Sequence, residues 1–372
     1  MDAKVCLNMI VKDEAHIIER CLASVRPHID RWLIVDTGST DGTQEVIRRV
    51  MAEVPGRLLE RPWVNFGHNR TEALQAGRQD AEYAFVIDAD EVLEVPPGFV
   101  WPALHADCAM LNVHMGKVTY RRTALVANRL PWVCRGVLHE YLDAPDVGPP
   151  QLLDGPVVVV HTDGARGQGL SVAEKYARDA RTLEAALLTE PDNARYQYYL
   201  ARSYLDSGQF DAALAAYRRR TEMTGFVEEA FDSLLEIGRL LERSGADFEV
   251  VHRAYLTAWE NRPSRAEPLY ELARYCRAQS RFALGRMAAW QAMAIPRPAD
   301  LLWVLEDVYA WRCQDEYAVA AYWTGWYHEC RRVCRRLLDG GQVPAEERDR
   351  VRANLQHAQQ ALAEQGTAGP RH

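Results

Sequence analysis

Two kinds of hydrophobic patterning divide the chain. As far as about residue 165 the apolar residues come in short unbroken blocks, at 5–11, 32–35, 58–59, 84–87 and 157–160. Blocks of this length, rich in β-branched residues, predict strands covered on both faces. Between them the apolar residues are spaced for helices. Ile17, Ile18, Cys21, Leu22 and Val25 share one side of a helix that Pro27 ends, and Val46, Ile47 and Val50 do so in a helix opening near Thr43. A third helix is expected around 69–77. Strand–helix–strand order of this kind predicts an α/β domain of Rossmann-like character, with a mostly parallel sheet and right-handed crossovers. Residues 110–114 and 118–120 alternate like strands.

From about Ser171 the short blocks vanish and a helical pattern rich in Ala, Leu, Arg and Glu takes over. Leu200, Ala201, Tyr204, Gly208, Phe210, Ala213 and Tyr217 match the small and large positions of a tetratricopeptide repeat, and looser copies follow. The turn residues Gly208, Gly245, Ser280 and Gly325 lie 37, 35 and 45 residues apart, against an ideal period of about 34, so the array is degenerate. Residues 344–365 read as a polar capping helix before a short tail. The expected division is therefore an α/β domain at 1–168 and an all-α helical-repeat domain at 169–372. Such a solenoid offers a concave surface for recruiting a partner or pairing with a second copy. Most of Trp290, Trp303, Trp311, Trp323 and Trp326 are expected in its core, as are Cys330 and Cys334, and the basic runs at 218–220 and 331–336 are expected on solvated faces.

The candidate chemistry sits where the 84–87 block ends. Asp88, Asp90 and Glu91 place three carboxylates within four positions at the carboxyl edge of the predicted sheet, where open α/β sheets bind ligands. Carboxylates this close repel unless a cation sits among them, and hard oxygen ligands suit Mg²⁺ or Mn²⁺ bridging to a substrate phosphate. A second polar edge follows the 32–35 block as Asp36-Thr37-Gly38-Ser39-Thr40-Asp41-Gly42-Thr43, with Ser, Thr and Asp available to cap the next helix.

Charge and composition narrow the classes. The formal charge of -8 gives no general attraction to nucleic acid or to an anionic membrane. No apolar run approaches a membrane span, and the chain enters a strand at once after Met1, so a cytoplasmic protein is expected. The eight cysteines lack framework spacing and are expected as reduced thiols.

Three motifs in order, residues 9–14 (Met-Ile-Val-Lys-Asp-Glu), 34–43 (Ile-Val-Asp-Thr-Gly-Ser-Thr-Asp-Gly-Thr) and 85–91 (Phe-Val-Ile-Asp-Ala-Asp-Glu), resemble those of family 2 glycosyltransferases of the GT-A fold. The resemblance implies an inverting, metal-dependent enzyme that moves a sugar from a nucleotide-sugar donor, usually a UDP-sugar, with Mg²⁺ or Mn²⁺. It makes Asp36 the residue that reads the uracil, with the backbone of Met9 to Val11 flanking the base and Glu14 and Ala89 completing the nucleotide contacts. Arg70 stands where the family often carries a basic residue near the nucleotide, although the chain reads Asn69-Arg70 where the family pattern is Arg-Asn. Asp88 would face the ribose and the metal shell, and Asp90 would bind the metal. His161, at the end of the 157–160 strand, would complete that shell. Inverting transfer needs one carboxylate to take the acceptor proton. Glu140, after the strand-like pair Val137-Leu138, is the first candidate and Asp143 the second. Trp132 offers a flat face to a sugar or acceptor, or else packs in the core, and His139 adjoins the same side. Gly164, Gly167 and Gly169 suggest a loop that orders over bound donor. The acceptor is expected to be a peptide, protein or glycan, O-, S- or N-linked. A different class is an inactive scaffold whose repeats bind a partner, and a lesser one is transfer to a nucleic-acid or small-molecule hydroxyl.

Overall fold

The computed structural model describes residues 4–116, 118–161, 163, 169–302 and 304–367. It contains two compact units, Met1–Ala216 and Tyr217–His372.

The first unit is built on β1 (Val5–Val11), β2 (Arg31–Asp36), β3 (Gly56–Glu60) and β4 (Tyr83–Val86), which pair in parallel in the order β3-β2-β1-β4. All seven residues of β1 are buried because helices cover both faces. Its odd-numbered positions Val5, Leu7, Met9 and Val11 meet α1 (Ile18–Val25) and α2 (Thr43–Val50). Cys6 and Ile10 meet α3 (Phe66–Gly77) on the other side. Asn8, the one polar residue of the strand, is buried and satisfied: its side-chain amide donates to the Ala73 carbonyl at 2.8 Å.

The sheet continues through β7 (Val118–Ala127), β6 (Cys108–Met115), β10 (Gln151–Val160) and β5 (Glu91–Glu94). β7 runs antiparallel to both β4 and β6, and β5 antiparallel to β10. The sheet is therefore mixed but mostly parallel, and the ends of β1, β2, β4, β6 and β10 share one edge with the start of β5. A two-stranded ribbon, β8 (Val133–Arg135) with β9 (Tyr141–Asp143), stands apart from it.

The strands stop near the expected residue 168, but the first unit does not. It runs on through α4 (Val172–Thr189) and α5 (Ala194–Asp206) into α6 (Phe210–Thr221), as far as Ala216. Gly169 adopts φ 73° before α4, while Gly164 and Gly167 lie outside the described residues.

The second unit contains α7 (Val227–Arg243), α8 (Phe248–Asn261), α9 (Glu267–Ala278), α10 (Phe282–Met293), a π-turn at Val308–Arg312, α11 (Cys313–Trp323), α12 (Tyr327–Asp339) and α13 (Ala345–Thr367). The expected turn residues recur as one device in both units. Gly208, Gly245, Ser280 and Gly325 all take positive φ (80°, 72°, 57°, 80°). In each turn the next residue's N–H reaches back five positions: Gln209 to Tyr204, Ala246 to Leu241, Arg281 to Cys276, Trp326 to Ala321. This is the bond that closes a helix on a left-handed residue. All eight cysteines are buried free thiols, and Cys330 and Cys334 sit 4.0 Å apart in helix packing.

Two expectations fail in the repeats. Trp311 is buried, but Trp290, Trp323 and Trp326 are more than half exposed, with Trp323 stacked on Phe282 and Trp326 under the Arg286 guanidinium. Trp303 lies outside the described residues. Arg220, expected in solvent, is fully buried, donating to the Met223 and Phe226 carbonyls and facing Glu229.

Candidate active site

Two loops at the carboxyl edge are laced together. β1 ends beside β2, with Val11 opposite Asp36. Beyond the strands Asp13 N–H donates to the Ser39 hydroxyl, Glu14 N–H to the Thr43 hydroxyl, Ala15 N–H to Asp41 and Thr40 N–H to Asp13. Asp13 takes φ 56° and Gly38 and Gly42 take 102° and 94°, which lets the chain turn twice within this edge. The Met9 and Val11 side chains are buried in the core, so only their backbone is left to line this edge. Asp36 is fully buried and its carboxylate is occupied: it accepts from Gly38 N–H (3.0 Å), Ser39 N–H (2.8 Å) and the Gln44 amide (2.6 Å). The side chain expected to read a base is first of all the cap that shapes the loop.

The acidic strand end is a tight turn. Glu91 N–H donates to the Asp88 carbonyl, and Asp88 N–H to the Glu91 carboxylate. Ile87 and Ala89 point into the core, so Asp88 and Asp90 face the edge. Arg122 of β7 grips Glu91 with two bonds of 2.6 and 2.7 Å. Arg70 of α3 is buried and binds two carboxylates, Asp88 and, at 2.6 Å, Glu140. Burial alone would raise the Asp88 pKa, but Arg70 and Arg122 outweigh it and hold the carboxyl below its usual range. Asp90 has no ion pair among the described residues. Burial, then Asp88 and Glu91, push its carboxyl up to about 6.

His161 follows β10, and its N–H donates to the Asp90 carbonyl at 3.0 Å, which sets the two residues side by side on the edge. A bidentate Arg20–Asp163 pair ties the chain just beyond it to α1. Among the described residues no three His, Cys, Asp or Glu side chains form a ready-made metal cage. Asp88 and Glu91 are already committed to arginines. The residues fit a hard ion held by Asp90 with His161 beside it, most of whose shell would come from substrate phosphates and water.

Glu140 sits in a different local structure from the one expected. Val137 and Leu138 are not a strand. They lie in the loop between β8 and β9, where Gly136 at φ 117° and His139 at φ 51° turn the chain back. α3 holds this ribbon closely. Cys134 N–H donates to the Thr71 hydroxyl, and a Cβ on Gly67 would stand 2.7 Å from the Gly136 carbonyl oxygen. Asp143 is paired instead with Arg135, at 2.5 Å. Trp132 is a core side chain, 5% exposed, with its indole N–H on the Ala127 carbonyl. It packs with Leu74, Ala84 and Val126 and presents no face to a sugar. His139 is exposed and stacks on Tyr199 of α5. Sequence reading missed Arg122, although its alternation within a strand-like run beside the acidic turn was a usable signal.

Residues 6–102 match the model of Glycosyl transferase family 2. The chain carries a family 2 glycosyltransferase domain followed by TPR-like repeats. A TPR repeat-containing protein of Synechococcus elongatus is 40% identical over 92 residues, 24% of this chain and 21% of that protein. The chain thus spans about a fifth of the length of the curated relative it matches. Among solved structures, the C-terminal part of a TPR repeat-containing protein from Cytophaga hutchinsonii covers 52% of this chain and 69% of its own, at 14% identity and TM-score 0.41. A thermophilic TPR protein of Thermus thermophilus covers 49% and 91%, at 19% identity and TM-score 0.34. Among the described residues no helix is long and apolar enough to cross a membrane.

Proposed function

We propose that the chain is an inverting, metal-dependent glycosyltransferase that takes a sugar from a UDP-sugar and gives it to a hydroxyl or thiol of a peptide, protein or glycan. The observation that supports this best is the buried Arg70, which joins Asp88 on the donor side to Glu140 on the acceptor side of one edge, next to Asp90, which has no ion pair among the described residues. A Mg²⁺ or Mn²⁺ held by Asp90, with His161 beside it, would supply charge stabilisation to the departing diphosphate. The loop that Asp36 shapes, with Val11 and Glu14 alongside, forms the wall for the uridine. Arg70 holds Asp88 below its usual range, pairs with Glu140 and offsets the repulsion of both carboxylates for a diphosphate.

Glu140 takes the proton from the acceptor O–H or S–H. The acceptor atom then bonds to the anomeric carbon from one face as the bond from that carbon to the diphosphate oxygen breaks on the other, and the configuration inverts. Glu140→Gln keeps the shape and removes the proton acceptor, so kcat should fall about 10²–10⁴-fold for a hydroxyl acceptor with UDP affinity unchanged. A thiol acceptor would lose less, because it ionises near neutral pH with little help. The assay is UDP release from UDP-sugars with Mn²⁺. If UDP binding weakens as much as turnover, Glu140 is a donor-site residue instead.

A further inference from the structure

The loop that carries Glu140 is held on its far side by a helix of the C-terminal helical run rather than by the sheet. His139 lies in the left-handed region at φ 51°, a conformation that a non-glycine residue holds only where its surroundings impose it. Those surroundings belong to α5. The His139 ring lies flat on Tyr199, with centroids 3.9 Å apart and planes 8° from parallel. The Arg195 guanidinium donates twice to the His139 carbonyl, at 3.0 and 2.8 Å, and packs over the Tyr199 ring at 4.8 Å. Val137 N–H donates to the Tyr196 hydroxyl at 3.2 Å. Three residues within two turns of one helix thus grip both ends of the stretch that immediately precedes Glu140, and Arg70 receives the carboxylate they deliver.

We infer that α5 is a positioning element of the transfer site: Arg195, Tyr196 and Tyr199 fix the 136–140 loop so that Glu140 meets the acceptor. This rests on Glu140 as the base and extends the site to a helix beyond the last strand of the sheet.

The test uses the full chain with Arg195→Ala, Tyr199→Ala and Tyr199→Phe. Two readouts are taken on each: amide hydrogen exchange of the 133–143 segment, with 83–94 as internal reference, and UDP release from a panel of UDP-sugars with Mn²⁺. Both alanine variants should raise exchange in 133–143 about tenfold, leave 83–94 unchanged, and lower kcat about 10–100-fold with KM for donor kept. Tyr199→Phe keeps the stacked ring but loses the hydroxyl that accepts from Arg195 at 3.4 Å, so it should fall between the parent and Tyr199→Ala in both readouts. Unchanged exchange in the alanine variants overturns the inference whatever the turnover. So does raised exchange with undiminished kcat while Glu140→Gln is slow. Full turnover in Glu140→Gln would instead remove the base assignment, with the exchange readout still deciding whether α5 holds the loop.

Discussion

Burial, and then the neighbouring Asp88 and Glu91 carboxylates, push the Asp90 carboxyl up to about 6. A pKa raised in the folded state stabilises the fold at low pH, where the proton is bound, and that contribution is lost as pH rises through about 6. Asp90→Asn should therefore raise stability at pH 7.5 by about 1–2 kcal/mol, after discounting for solvent screening, with the gain shrinking toward pH 4.5. Melting temperatures at the two pH values check this, and an equal shift at both contradicts it. Arg70 is the opposite case. Arg70→Met leaves two carboxylates facing each other and should cost about 2–4 kcal/mol. Arg70→Lys restores charge but not the fork that binds Asp88 and Glu140 together, so it should recover stability more than turnover. Denaturant titration beside UDP release separates the two. The 88–91 cluster was legible because three carboxylates followed an apolar block. Arg70 was named near the nucleotide, but its carboxylate partners were not legible, because Arg70 and Glu140 are brought together across 70 positions of chain by the docking of α3 on the ribbon.

At the scale of elements, the strands of the first unit were legible for a simple reason: helices on both faces demand unbroken apolar blocks, and β1 is buried at every position. The repeat turns were legible because a left-handed residue at each helix end selects glycine, with Ser280 the one exception among the four. The β8–β9 ribbon was misread. Val137-Leu138 looks like a strand fragment, yet Gly136 and His139 turn the chain there, and only Gly136 announced it. Trp132 and the exposed repeat tryptophans show that aromatic residues state their size but not their side. Gly67 tests the docking of this ribbon. Alanine favours a helix over glycine by about 1 kcal/mol, so Gly67→Ala should stabilise α3 if there were room. The added Cβ would instead meet the Gly136 and Cys134 carbonyl oxygens at 2.7 and 2.8 Å. A net loss of about 1–3 kcal/mol with a fall in kcat is expected, and a raised melting temperature would contradict the packing.

For the whole molecule, the change from strands to helices and the end of the first compact unit are separate events, near residue 168 and at Ala216. A chain ended at 216 keeps Arg195, Tyr196 and Tyr199; one ended at 168 loses them and leaves the 136–140 loop without its clamp. The longer form should be soluble with UDP affinity near that of the full chain, and the shorter should aggregate or lose turnover, as size-exclusion chromatography and UDP titration will show. Equal behaviour of the two would mean that α4 and α5 are bystanders. The central claim is that the carboxyl edge binds a nucleoside diphosphate through a metal on Asp90. Calorimetric titration of UDP into the full chain with Mn²⁺, with EDTA, and into Asp90→Asn with Mn²⁺ tests it most directly. The predicted result is binding that weakens at least about tenfold, some 1.4 kcal/mol, both with EDTA and in Asp90→Asn. UDP affinity that is the same in all three titrations would contradict it.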